Sequence, residues 1–192
     1  MEFDLPAIDV HLWQLLRQSE KSYKAPFHSG IVATVHEQLP QLRTVILRKV
    51  DIAARTLFFH TDIRSPKVEQ LKKQPGISWL FYDADLRVQL RMQATATIHY
   101  ANDVANDAWE HARLSSRLTY TTSSAAGVVL PSPELIDLNR KEVEPELIEI
   151  AWRNFCVVET TVQKMDWMFL NKDGNRRALF DYHNNNYQWI QV

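Results

Sequence analysis

Alternating apolar and polar positions run through much of the chain, and this pattern predicts β-strands. The clearest case spans residues 86–100, where every second residue from 88 to 96 is apolar and the residues between them are polar. Shorter runs rich in β-branched and aromatic residues predict further strands. These lie at residues 30–35, 43–50, 56–61, 77–82, 154–162, 165–170, 176–182 and 187–192. Many short strands with few helices indicate a mainly β fold, a small antiparallel β-barrel with peripheral helices.

Helical patterns occupy only short stretches of the chain. The first lies within residues 8–16, where apolar residues recur at helical spacing and Asp9 is the expected N-cap. Asn102 or Asp103 is expected to cap a second short helix, and another is predicted around residues 145–152.

Length and composition limit the class of protein. A chain of 192 residues with 45% hydrophobic residues suits a single domain. We predict one domain over residues 1–192, with a helical extension at 1–24 and a loop at 119–143, where periodicity is weak. The net charge of −1 favours neither nucleic acid nor a membrane as partner. No apolar run reaches transmembrane length.

The expected location of the protein is the cytoplasm. The acidic N-terminus lacks the basic region of a signal peptide. The single cysteine, Cys156, excludes an internal disulfide and is typical of a reducing compartment.

An anion-binding site is predicted between the strand that Arg43 opens and the helix that follows Ser65. Ser65 is a favourable N-cap and Pro66 suits the first helical position. The free N–H groups of a helix N-terminus attract phosphate. Arg64 and Lys67 add positive charge, and Arg43 joins them if the hairpin places its strand end beside the helix. The four glycines lie far apart, so no glycine-rich phosphate loop can be built.

Each of these residues also has an ordinary structural explanation, because Ser-Pro often starts helices and exposed basic residues are usually solvated. Their joint occurrence predicts an anion site, but these residues alone do not name its ligand. Other candidates are weaker: Cys156 is expected to be a buried, inert thiol. No metal site is predicted, because His99, His111 and His183 lack metal-ligand spacing.

Several motifs, in order and spacing, resemble the pyridoxamine 5'-phosphate oxidase-like flavoproteins. The resemblance covers about residues 25–192, and the nearest branch has the signature His-Thr-Asp-x-Arg-Ser-Pro-Lys. The motifs are Arg-Thr-Val-Ile-Leu-Arg at residues 43–48, Phe-His-Thr-Asp-Ile-Arg-Ser-Pro-Lys at 59–67, Trp-Leu-Phe-Tyr at 79–82, Leu-Arg-Val-Gln-Leu-Arg at 86–91, and Arg-Arg-Ala-Leu-Phe at 176–180 with Trp-Ile at 189–190.

The resemblance implies a six-stranded antiparallel Greek-key split β-barrel that binds flavin mononucleotide (FMN) at a homodimer interface. It implies that the phosphate is held by Arg43 and Lys67, with Ser65 beside them. The predicted cofactor-binding residues are Arg43, Thr44, Val45, Ile46, Arg48, His60, Thr61, Arg64, Ser65, Lys67, Gln89 and Arg177.

The resemblance also implies how the flavin ring is surrounded. The backbone of Val45 and Ile46 would lie along the ring, Gln89 would reach its polar edge, and Arg177 would approach from the partner chain. On a regular strand Arg43 and Arg48 point to opposite faces, so Arg48 is expected to face the substrate side or solvent.

The sequence departs from the oxidases proper at substrate-binding positions. Arg48 stands in place of a lysine, neither Arg nor His occurs at residues 173–175, and the register of residues 113–117 is ambiguous. The leading hypothesis is therefore an FMN-dependent oxidoreductase acting on an unknown small substrate, with its catalytic residues unassigned. The alternatives are a non-catalytic flavin carrier or sensor, a true pyridoxamine 5'-phosphate oxidase, and a protein for another flat cofactor such as deazaflavin or haem.

Overall fold

The computed structural model describes residues 4–140 and 142–192. Residues 1–3 of the predicted helical extension and residue 141 of the predicted loop lie outside the described residues. The described part contains nine strands and five helices. The helices are α1 (Leu5–Ser19), α2 (Pro66–Lys73), α3 (Asp103–Glu110), α4 (Leu114–Leu118) and α5 (Pro145–Asn154). None of the described helices is long and apolar enough to cross a bilayer.

The strands form one antiparallel sheet in the order β2-β1-β5-β6-β7-β4-β3, to which β8 and β9 are added beside β7. The strand β2 also lies close to β4, so the sheet curves back on itself as a barrel. The fold class is confirmed, with nine strands where six were expected. The strands are β1 (Ser29–His36), β2 (Leu39–Ile46), β3 (Lys49–Asp51), β4 (Thr56–Asp62), β5 (Gly76–Asp83), β6 (Val88–His99), β7 (Phe155–Phe169), β8 (Arg176–Asp181) and β9 (Asn186–Trp189).

The predicted strand at residues 43–50 is divided in the structure, because the chain changes partners there. β2 ends at Ile46. The amide of Leu47 then donates to the His28 carbonyl at 2.8 Å, and the amide of Arg48 donates to the Phe58 carbonyl at 2.8 Å. The two residues therefore carry the chain from β1 to β4, and β3 continues beside β4.

The two strands predicted at residues 154–162 and 165–170 are one strand, β7. Its pairing with β6 shifts by one residue, because Gln93 faces Lys164 whereas Ala94 faces Val162. Gln163 is the extra residue of this β-bulge, and its side chain donates to Thr95 Oγ1 at 2.9 Å. A bulge bends a strand without ending it, so the polar interruption in the sequence marks a bend.

The barrel interior is filled by the apolar faces of the strands, as the alternation in β6 predicts: residues 88, 90, 92 and 94 are buried. At its centre the ring of Trp79 stacks on Phe81, with centroids 5.2 Å apart, and Phe59 packs edge-on against Trp79. Trp79 donates its indole N–H to Thr160 Oγ1 at 3.1 Å, so this aromatic core contains no unsatisfied indole donor.

Helix α1 packs against the barrel through a buried polar contact. The prediction that Asp9 caps this helix is wrong: Asp4 is the N-cap and accepts from the Ala7 amide at 3.2 Å. Asp9 lies inside the helix on its buried face. Its carboxylate accepts from the hydroxyls of Tyr182 at 2.6 Å and Tyr187 at 3.1 Å, and pairs with Arg55 at 3.1 Å.

The peripheral helices begin close to where the sequence predicts. Asn102 caps α3 by accepting from the Ala105 amide at 3.1 Å, and α5 starts at Pro145. Between Leu118 and Pro145 the described residues contain neither helix nor strand. This segment is tied by Glu134, which accepts from the amide and hydroxyl of Ser123.

Candidate functional site

Arg43 is held at the end of the barrel beside α2. Because burial alternates along β2, Arg43 shares the inner face with Val45. Its guanidinium donates to Thr34 Oγ1 at 2.5 Å, to the Gln41 carbonyl at 2.7 Å and to Gln70 Oε1 at 3.3 Å. These contacts fix the position of the guanidinium against the first strand and the helix.

Three further residues lie on the side of Arg43 formed by the end of β4 and the start of α2. They are Thr61, Ser65 and Lys67. The ammonium of Lys67 donates to Thr61 Oγ1 at 2.8 Å and to Ser65 Oγ at 3.1 Å. Ser65 occupies the N-cap position of α2, but its side chain makes no capping hydrogen bond. The Ser65 hydroxyl therefore accepts no hydrogen bond from the N–H groups of the first turn of α2.

We call Arg43, Thr61, Ser65 and Lys67 the phosphate-site cluster, and its electrostatics favour an anion. Burial lowers the pKa of Arg43. Burial, and then the neighbouring charge of Arg43, lower the pKa of Lys67. Across residues 4–140 and 142–192, no carboxylate forms an ion pair with either side chain. The charge of Asp62 acts on Lys67 in the opposite sense, but as a smaller contribution than burial and Arg43. Two adjacent cations repel each other, and a bound phosphate would reduce that cost.

Arg64, predicted to add charge to this cluster, is engaged elsewhere. Its guanidinium pairs with Asp62 at 2.7 Å and donates to the carbonyls of Thr122 at 3.1 Å and Ser123 at 3.3 Å. The hydrogen bond to the Asp62 carboxylate raises the pKa of Arg64. Arg64 therefore links the segment after α4 to the start of α2 through these hydrogen bonds.

His60 of β4 and Arg48, in the link between β2 and β3, lie on the opposite side of the chain from the phosphate-site cluster. In β4 the residues Leu57, Phe59 and Thr61 point inward, so His60 points outward. Along the outer face of the β2 segment, Thr44 and Ile46 precede Arg48. A flat ring lying along this outer face would have the phosphate-site cluster on one side of it. Arg48 would lie beyond the C-terminal end of β2.

Arg48 and His60 line a cleft of ≈ 780 Å³, which we call the Arg48 cleft. Its other walls are the segment after α1, α3, and the connection from α3 to α4. The connection contributes Arg113 and the first turn of α4 contributes Ser115 and Ser116, so three of the residues whose register was ambiguous face the same space as Arg48. Burial, and then the charge of Arg48, lower the pKa of His60 to about 4. The imidazole is therefore neutral at pH 7.

Gln89 and Arg177 are not brought to the phosphate-site cluster within one chain. Gln89 pairs with Tyr82 of β5, and β5 and β1 lie between it and β2. With strands about 4.8 Å apart, Gln89 lies roughly 14 Å from β2 along the sheet. Arg177 forms an ion pair with Asp166 at 2.7 Å on β7, and the hydrogen bond to Asp166 raises the pKa of Arg177.

Two residues that the sequence did not single out take part in the site. Thr34 and Gln70 are the buried hydrogen-bonded pair, 2.5 Å apart, that orients Arg43. Only the pairing of β1 with β2 and the docking of α2 bring them together, so no motif marks them. Cys156 is fully buried behind the site, and burial raises the pKa of its thiol to about 12.

The comparisons with known proteins agree with this geometry. Residues 10–100 match the sequence model of the family described as pyridoxamine 5'-phosphate oxidase, FMN-binding domain. A search of curated proteins finds no match.

Three solved structures are similar to the chain. A pyridoxamine 5'-phosphate oxidase-related, FMN binding protein from Nostoc punctiforme has a TM-score of 0.74 at 21% identity, with 100% of each chain covered. PhzG from Burkholderia lata, in complex with tetrahydrophenazine-1-carboxylic acid, has a TM-score of 0.69 at 14% identity, covering 100% of this chain and 94% of that one. A protein from Clostridium acetobutylicum related to general stress protein 26 has a TM-score of 0.60 at 14% identity, covering 94% and 98%.

The curved antiparallel sheet gives the chain the split-barrel fold of these structures. The predicted resemblance is confirmed by the family model, which matches residues 10–100, and by the similar solved structures. The narrower assignment to the branch with the His-Thr-Asp-x-Arg-Ser-Pro-Lys signature stays a prediction.

Proposed function

We propose that the chain binds FMN, with the phosphate in the phosphate-site cluster, and acts as an FMN-dependent oxidoreductase on a small substrate in the Arg48 cleft. The observation that carries the proposal is the convergence of Arg43 and Lys67 beside Ser65, where no carboxylate among the residues described forms an ion pair with either cation. Such an arrangement is stabilised by an anion, and the matching family is an FMN-binding one.

Different residues of the chain would bind the phosphate of the cofactor and orient its ring. Bound FMN supplies hydride or electron transfer, which is chemistry of the flavin. Arg43 and Lys67 hold the phosphate charge, and Ser65 adds a hydroxyl contact at the start of α2. The outer face of the strand ending at Ile46 orients the ring toward the Arg48 cleft.

An anionic substrate suits the Arg48 cleft. Arg48 and Arg113 both line it, and neither forms an ion pair with a carboxylate anywhere in the described chain. The structurally similar PhzG is in complex with a carboxylic acid, which supports the same choice here. A cytoplasmic location, as the single cysteine favours, completes the proposal.

We also propose that the working form is a homodimer with FMN at the interface. Gln89 and Arg177 lie on the outer surface of the sheet, away from their own phosphate-site cluster, and we assign them to the flavin of a second copy. A groove of ≈ 360 Å³ on the same surface is lined by Ile31, Leu42 and Leu179 together with Arg91 and Arg177. Its apolar walls suit contact with another copy of the chain.

The test of cofactor binding compares FMN with riboflavin, which lacks the phosphate. The purified protein is expected to be yellow, or to take up added FMN, and to bind FMN at least tenfold more tightly than riboflavin. Quenching of flavin fluorescence measures both affinities. A colourless protein that takes up no FMN would contradict the proposal. Equal affinities for FMN and riboflavin would show that the phosphate-site cluster does not bind the phosphate.

A second measurement separates an oxidoreductase from a flavin carrier. The FMN-loaded protein is mixed anaerobically with a nicotinamide cofactor or with candidate anionic substrates, and the flavin absorption is followed. Bleaching, followed by reoxidation with turnover of a metabolite, supports the oxidoreductase. A flavin that none of these compounds reduces supports the carrier or sensor.

A further inference from the structure

The imidazole of His60 faces the Arg48 cleft without a partner from the protein. Its ring packs edge-on against Phe155, with centroids 5.0 Å apart, which fixes its orientation. Within the described chain no hydrogen bond reaches either ring nitrogen, and no fully buried side-chain nitrogen or oxygen is left unsatisfied. The His60 nitrogens are therefore open to the cleft, where only a ligand or water can meet them.

The charges around His60 are mostly positive. Arg48 lies close enough to act on the imidazole electrostatically, and Lys49 and Arg113 line the same cleft. The two carboxylates of the cleft are already engaged. Glu20 accepts from the Val50 amide at 2.5 Å, and Asp107 pairs with His111 at 3.4 Å.

The remaining titratable neighbours do not alter that balance. His28 is hydrogen-bonded to the Ser19 carbonyl at 2.8 Å. Tyr120 stays neutral because burial raises its pKa to about 12. Lys21, at the rim of the cleft, adds a further positive charge.

We propose that Arg48 and His60 form a coupled site in which an anionic group bound at Arg48 draws a proton from solvent onto a ring nitrogen of His60. This inference deepens the proposed function, because it treats the Arg48 cleft as the substrate side of the flavin. His60 then contacts the anion as a charged donor, and it holds a proton next to the substrate.

The physical reason is that a bound anion cancels the effect of the Arg48 charge on the pKa of His60. An anion at Arg48 offsets the positive charge that disfavours the imidazolium, and it also pairs with the imidazolium directly. A charge of opposite sign within hydrogen-bonding reach shifts a pKa by about 1–3 units. Since burial continues to oppose protonation, we expect the pKa of His60 to rise by about one unit. The bound state takes up the proton, so the anion binds more tightly as the pH falls.

The experiment follows the protonation of His60 by NMR of its ring nitrogens, with benzenesulfonate as the probe because it stays ionised throughout the titration. The chain has seven histidines, so the His60 signals are identified as those missing from His60→Gln. FMN-loaded and FMN-free protein are titrated with and without the probe. Arg48→Gln removes the charge, Arg48→Lys restores it, and Arg140→Gln removes an exposed charge outside the cleft.

The expected result is a rise of about one unit in the His60 midpoint when benzenesulfonate is added to the wild type. The rise should persist in Arg140→Gln, be largely kept in Arg48→Lys and be absent in Arg48→Gln. An unchanged midpoint in the wild type, or an equal rise in Arg48→Gln, overturns the coupled site. A protein that binds no FMN but shows the Arg48-dependent rise would support the coupled site while the proposed function fails.

Discussion

Arg43 and Arg48 stand five positions apart on one segment, yet they serve two different spaces. Arg43 points into the barrel end, where Thr34 and Gln70 hold its guanidinium. Arg48 lies two residues after the end of β2 and lines the cleft. Arg43 therefore lies on the side that would bind the phosphate, and Arg48 lies on the side that would bind the substrate.

Replacing each arginine by alanine tests this separation. Arg43→Ala is expected to weaken FMN binding by about 10- to 100-fold, because it removes a charge-assisted contact of about 1.5–3 kcal/mol. Arg48→Ala is expected to change FMN affinity by less than about threefold. Fluorescence titration of both variants gives the comparison, and equal losses would contradict the division of the two faces.

At the level of residues, the sequence indicated which side chains bear charge, but it could not give their partners. The start of α2 at Ser65 and Pro66 follows from local chemistry and is found there. The capping role expected for Asp9 is wrong, because its partners come from distant parts of the chain. Arg64 is a similar case, since it contacts a loop 58 residues away in sequence.

Among the elements, β1 depends on a close approach between its backbone and a ring of β5. A Cβ on Gly30 would lie 2.5 Å from Phe81 Cε1. Phe81 itself is 1% exposed and stacks on Trp79, so it has no room to move aside. Glycine is required here by packing, since Gly30 has no positive φ angle.

Two glycine-to-alanine substitutions should therefore differ in their effect on stability. Gly30→Ala is expected to lower the free energy of unfolding by about 1–3 kcal/mol through overpacking. Gly76→Ala meets nothing within 4 Å, so it should be neutral or stabilising by up to about 1 kcal/mol. Urea denaturation of both proteins measures the difference, and equal stabilities would show that Phe81 yields at no cost.

The elements themselves were predictable to the extent that their signals are local. The alternation in β6 and the Asn102 cap of α3 follow from neighbouring residues, and both are found. The division after Ile46 and the continuity of β7 across Gln163 depend on which strand each residue pairs with. Pairing between distant strands is not written in a local pattern.

For the whole molecule, the outer face of the sheet is the surface that a second copy would cover. Leu42 is 63% exposed there and lines the groove with Ile31 and Leu179. Leu42 lies on the outer face of β2, the strand along which the flavin is proposed to bind, so loss of the dimer should also affect the flavin.

A charged substitution in the groove tests the proposed assembly. The wild type is expected to have twice the 22.4 kDa mass of one chain in solution, as measured by light scattering. Leu42→Arg should shift it to a monomer and weaken FMN binding, because an arginine cannot be buried without a partner. Leu135→Arg, at a loop position that is 91% exposed, is the matched control. A wild-type monomer that retains flavin would contradict the proposal.

The buried carboxylate of Asp9 also sets an order of events while the chain is made. Its hydroxyl donors, Tyr182 and Tyr187, are synthesised 173 and 178 residues later. At 5–20 residues per second the ribosome needs roughly 10–35 s to reach them. Arg55 and β3 emerge much earlier and can already contact α1. The helix therefore completes its packing, with both hydroxyl donors on Asp9, only after the last hairpin has emerged.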